Sequence, residues 1–195
     1  MPAASWSQIK KGSFILSGKS DVNLVLSKTT LSMDSIAIPR MKNTQFGFDL
    51  GAGYVVAANL AVAVSGAYSY ADTKFEPYNF DPGKEVITTT FAVVPQVIYY
   101  FFSGEKIKPT LSAGIGYIWM KERASNVSTN NNNIVYSLTG PSINGAIGMS
   151  YFITRDISFD LGLQYTHNRL KDKTRTHEIQ NQNTIAAILG ITIIL

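Results

Sequence analysis

The stretch Gln45-Phe46-Gly47-Phe48-Asp49-Leu50-Gly51-Ala52-Gly53-Tyr54 decides how this chain folds. Its even positions are apolar and mostly large: Phe46, Phe48, Leu50, Ala52, Tyr54. Its odd positions are Gln45, Gly47, Asp49, Gly51 and Gly53. A period of two belongs to a β-strand, whose successive side chains leave opposite faces. The second face is the informative one. A strand that turned it to water would carry Lys and Glu there. Between Phe46 and Ala71 the only charged residue is Asp49, and between Val86 and Phe102 there is none. One face is too large and apolar, and the other too small and neutral, for an ordinary soluble sheet.

The same alternation recurs outward along the chain, giving eight segments in all. They run about 12–28, 44–56, 60–73, 86–102, 108–123, 135–153, 157–169 and 182–195. Ala57-Ala58-Asn59, Ser103–Ile107 and Thr154-Arg155-Asp156 read as short hairpin turns. Roughly 29–43, 74–85, 124–134 and 170–181 read as long polar connections. Short and long connections alternate strictly. All long ones therefore emerge at one end, with both termini and the short turns at the other.

Composition narrows the class. The 195 residues hold 17 Lys+Arg, 13 Asp+Glu, two His and no Cys, and charged residues are only 15 %. Without Cys there is no disulfide scaffold, Cys-based zinc site or thiol nucleophile. Mean hydropathy is slightly positive at +0.06, yet no apolar run approaches the ~18 residues of a spanning helix. No block of like charge marks a nucleic-acid arm. No leader is evident: the apolar residues after Lys10-Lys11 are cut short at Ser17-Gly18-Lys19. The expectation is a processed chain, with residues 1–11 as a flexible segment ahead of a single domain over 12–195.

Eight antiparallel strands in up-and-down order close into a barrel, which removes exposed edges. An eight-stranded interior admits only modest side chains. The small face therefore belongs inside and the large apolar face outside, the arrangement of a transmembrane β-barrel. Lys19, Asp21, Asn23, Gln45, Asp49, Gln96, Asn144, Asp160 and Gln164 then form a polar network in the lumen, where charges need partners. Aromatic residues gather at both strand ends. Tyr54, Tyr99–Phe102, Tyr151-Phe152 and Phe159 form one band; Tyr68, Tyr70, Tyr117, Trp119 and Tyr165 form the other. Two such bands match interfacial girdles.

Gly51-Ala52-Gly53-Tyr54 before a short turn, Pro95 with Tyr99-Tyr100-Phe101, Gly114-Ile115-Gly116-Tyr117 and Gly148-Met149-Ser150-Tyr151-Phe152 also carry a family resemblance. Together they resemble the small eight-stranded outer-membrane β-barrels of the OmpA/OmpX type, the outer membrane protein β-barrel domain of Gram-negative bacteria. The resemblance spans Gly12 to Leu195. It departs from many such barrels in ending on Leu195 rather than an aromatic residue. It implies an outer-membrane location, periplasmic termini and extracellular long loops, and no single activity.

Candidate chemistry is sparse. No cofactor or metal pattern appears. His167, Asp172 and a serine such as Ser69 or Ser137 are the ingredients of a lipid A-modifying enzyme, but no spacing joins them. A narrow channel or carrier for small or apolar solutes is the other alternative. The leading expectation is a non-catalytic barrel with a structural or surface-interaction role, monomeric, in contact with membrane lipid and lipopolysaccharide and without nucleic acid. Lys121, Arg123, Arg169, Lys171, Lys173 and Arg175 would form a collar at the long-loop end that contacts lipopolysaccharide phosphates. Glu122, Asp172 and Glu178 are their sequence neighbours and would dilute it. Phe75, Tyr78 and Phe80 could meet an extracellular partner.

Overall fold

The computed structural model describes residues 9–22, 41–75, 84–102, 106–126, 134–172 and 179–195. Eight strands follow in order: β1 (Phe14–Val22), β2 (Met41–Ala57), β3 (Leu60–Phe75), β4 (Lys84–Tyr100), β5 (Ile107–Asn126), β6 (Ile134–Phe152), β7 (Ile157–Asp172) and β8 (Ile179–Ile194). Each pairs antiparallel with the next, and β1 pairs with β8, so the sheet is a closed barrel. At the closing seam Phe14 and Leu195 exchange both backbone hydrogen bonds, at 2.9 and 2.8 Å. Several strands reach further than their alternation indicates. β3 continues to Phe75 and β8 starts at Ile179, because backbone pairing persists through polar residues beyond the apolar band.

The two faces are inverted relative to a soluble protein. Ile115 and Ile185 are 69 % and 65 % exposed, while Lys108 and Ser158 are fully buried. Outward rings line up across strands at both ends. Phe46 lies 5.7 Å from Tyr70 and Phe91 5.7 Å from Trp119 near the long connections; Phe14 lies 5.2 Å from Tyr54 at the other end. Lipid is the solvent in which such a surface is stable, since a barrel satisfies its backbone groups internally.

Two members of the expected aromatic bands do not belong to them. Tyr100 and Phe152 are 3 % and 0 % exposed and point into the lumen. Tyr100 shares its parity with Gln96 and Ile98, and Phe152 shares its parity with Ser150, so both turn inward. There they join Ile9, Ile15, Val55, Ala61, Ile98 and Ile194 in an apolar cluster filling the short-turn end. Ile9 lies in the segment assigned by sequence to the region before the barrel. It is buried in that cluster, and the Gly12 amide donates to the Val55 carbonyl at 2.9 Å. The Ala57-Ala58-Asn59 turn closes with Asn59 at φ 64°, a left-handed conformation that asparagine adopts more readily than most residues.

Candidate functional site

Two regions concentrate polar chemistry: the lumen and the outer rim at the long-connection end. In the lumen, Lys19 and Asp160 line one small cavity of about 50 Å³, together with Tyr100, Thr110, Ser112, Ser150 and Thr192. Asp160 is held by hydroxyls: Ser158 Oγ donates to Oδ1 at 3.1 Å and Thr192 Oγ1 to Oδ2 at 2.6 Å. Lys19 has its aliphatic stem over Gly190. A Cβ built there would lie 2.9 Å from Lys19 Cγ and 2.8 Å from the Gly18 carbonyl oxygen, so only glycine leaves this space.

Gln45, Asp49, Asn144 and Gln164 line a second cavity of about 170 Å³, further toward the long connections. Its wall is two-sided. Gln164, Thr166, Asn168, Gln182 and Thr184 from β7 and β8 form a polar side, and Ala67, Ala92, Val94, Ile118 and Met120 from β3 to β5 form an apolar side. Gln164 donates to Thr166 Oγ1 at 3.3 Å and Asn168 to Gln182 Oε1 at 3.4 Å. Gln96 is buried on the same inward face. Asp21 has only its backbone described, and Asn23 lies outside the described residues.

Lys108 was not among the expected luminal residues. It is fully buried, its Nζ donates to the Phe102 carbonyl at 3.0 Å, and it sits 5.8 Å from the centre of the Phe152 ring. Its parity with Thr110 and Ser112 is the signal that finds it.

At the rim, strand alternation sorts the charges. Lys121 and Arg123 continue the outward row of Tyr117 and Trp119 on β5; Arg169 and Lys171 continue the outward row of Tyr165 and His167 on β7. All four cations are exposed. Glu122 and Asp172, their sequence neighbours, take the opposite parity, and Asp172 is 6 % exposed. Lys173, Arg175 and Glu178 lie outside the described residues. The β3–β4 flank differs. Lys74 there pairs with Glu85 at 3.0 Å and Asp72 at 3.6 Å. These partners hold the Lys74 ammonium above its ordinary pKa, through the Glu85 hydrogen bond first and the Asp72 charge second.

The residues considered for a lipid A-modifying triad are not brought together. His167 faces outward, where its Nδ1 meets Asn183 Oδ1 at 2.7 Å, beside Tyr165, whose hydroxyl donates to the same oxygen at 2.9 Å. Asp172 faces inward. Ser137 is six residues along β6 from Ile143, the register partner of His167, which puts it roughly 20 Å away.

This inverted, closed, eight-stranded barrel defines a class: an integral membrane β-barrel. The model of the outer membrane protein beta-barrel domain family matches residues 6–186, and the chain belongs to that family. The N-terminal β-barrel domain of Pseudomonas aeruginosa OprF is similar in fold, with a TM-score of 0.57 at 12 % identity over 95 % of this chain and 98 % of that one. Neisserial surface protein A gives 0.54 at 16 % identity, over 94 % and 97 %. Ail, the attachment invasion locus protein of Yersinia pestis, gives 0.51 at 13 % identity, over 95 % and 99 %. No curated protein matches the chain in sequence. The family places the chain in the bacterial outer membrane.

Proposed function

We propose that this barrel is a non-catalytic surface protein that contacts lipopolysaccharide through the outward cations of β5 and β7, with the long connections extracellular and the termini periplasmic. One observation carries the reading: the rim cations share the lipid-facing parity while the neighbouring acids face inward. Lys121, Arg123, Arg169 and Lys171 thus stand directly above the outward aromatic residues, at the depth of phosphorylated headgroups. Lys173 and Arg175 would extend the collar. Guanidinium groups add bidentate geometry to the charge.

The luminal residues serve as structural filling. Lys19, Asp49 and Asp160 with the amides and hydroxyls around them occupy a narrow interior, and the Phe152 cluster fills the short-turn end. The rim reading is tested by replacing Lys121, Arg123, Arg169 and Lys171 together with Glu and measuring lipopolysaccharide that co-purifies from detergent-extracted membranes. A several-fold loss is expected, with heat-modifiable gel migration retained. An unchanged amount would overturn the reading.

A further inference from the structure

The rim cations are arranged as two separate pairs, and that spacing bears on what they bind. Lys121 and Arg123 stand on β5, Arg169 and Lys171 on β7, with β6 between them. Lys121 pairs in register with Ser137, and Lys171 with Thr139. Two strand spacings and a two-residue offset separate the Lys121 and Lys171 backbones by roughly 12 Å. The outward positions of β6 between them are Ser137, Thr139 and Pro141, all uncharged. Thr139 is nearly covered, and Tyr117 donates to its hydroxyl at 3.3 Å. The result is two positive points flanking a neutral, hydroxyl-bearing saddle.

A single phosphate engages one such point. We infer that the β5–β7 flank recognises the headgroup of a glycolipid whose disaccharide carries a phosphate at each end, one phosphate at Lys121 and Arg123 and the other at Arg169 and Lys171. This inference rests on the lipopolysaccharide reading above and adds the requirement for two phosphates. The Tyr117–Trp119 ring pair, 5.0 Å between centroids, lies immediately below the β5 cations, and Tyr165 lies below the β7 cations. Amphipathic rings at that level suit the boundary between sugar and acyl chain. Outward positions of this flank carry no carboxylate among the described residues, so the phosphates meet cations directly and need no bridging divalent ion. On the β3–β4 flank Asp72 and Glu85 face outward and pair with Lys74.

Binding of the first phosphate raises the effective concentration of the second at its own pair, so the two contacts reinforce each other. The test uses the intact chain in zwitterionic micelles with EDTA, and bound lipid is counted by native mass spectrometry. Diphosphoryl lipid A, monophosphoryl lipid A and inorganic phosphate are titrated separately. Diphosphoryl lipid A is expected to bind at least tenfold more tightly than the monophosphoryl form, with inorganic phosphate weaker than both. The double variants Lys121→Gln/Arg123→Gln and Arg169→Gln/Lys171→Gln should each reduce diphosphoryl binding to the monophosphoryl level while keeping the heat-modifiable migration. Equal binding of the two lipids, or one pair carrying the whole effect, would overturn the two-point site but leave the lipopolysaccharide reading standing. Absence of binding to either lipid would overturn both, and inorganic phosphate binding as tightly as the lipids would reduce the site to a general anion contact.

Discussion

The two ends of the lumen are built differently. At the short-turn end, Phe152, Tyr100, Ile98, Ile15, Val55 and Ile9 pack into a continuous apolar cluster. At the long-connection end, amides and hydroxyls share a cavity of about 170 Å³ with an apolar wall. A membrane barrel gains no hydrophobic stabilisation from turning apolar residues away from lipid alone; dense packing and complete hydrogen bonding do that work. The short-turn end is closed by packed rings and aliphatic side chains, whereas at the long-connection end a second apolar cluster, with Leu138 and Leu170, faces a wall of amides and hydroxyls across an open cavity.

The largest effect is expected at the short-turn cluster. Phe152→Ala should destabilise the barrel by about 3–5 kcal/mol in urea-driven unfolding from lipid vesicles, because its fully buried ring leaves a cavity. Thr192→Val tests the polar cavity beside that cluster, which Ile15, Ile98 and Tyr100 also line. It removes the 2.6 Å donor to Asp160 Oδ2 and should cost about 1–3 kcal/mol in the same assay. A loss at Thr192 equal to or greater than that at Phe152 would show that the polar cavity, and not the apolar cluster, sets the stability of the short-turn half.

Lys74 gives the smallest effect, at the exposed rim beyond the apolar band. Its raised pKa means that its pairing contributes fully below its ordinary value of 10.5 and fades as pH rises through the folded-state value. Unfolding midpoints of the native chain and Lys74→Gln should therefore differ slightly at neutral pH and converge under strongly alkaline conditions. A gap that widens with pH would show that another group sets the dependence.

Most of the fold was legible because one rule governed all eight strands. Large residues on one parity and small neutral ones on the other placed the membrane outside and gave strand order and closure, while pairing beyond the apolar band carried several strands further than the alternation indicated. What escaped reading did so for a physical reason. Tyr100 and Phe152 looked like girdle residues because aromatic identity at a strand end does not distinguish a ring facing lipid from one closing the lumen; parity does. Lys108 sat at a strand start, where a cation is usually solvated, yet its parity turned it inward. At the rim, reading Glu122 beside Lys121 and Arg123 along the chain mixed charges that alternation separates in space.

The sorted rim also bears on how the barrel finds its register. Sliding one strand by a single residue exchanges its two faces. On β5 such a slip would turn Lys121 and Arg123 into the interior and set Glu122 against anionic headgroups; on β7 it would do the same with Arg169, Lys171 and Asp172. The wrong alignment is thus penalised twice, by unmatched cations inside and by repulsion outside. If the proposed lipid contact holds, the same charges would also act during assembly as a proofreading device for strand alignment.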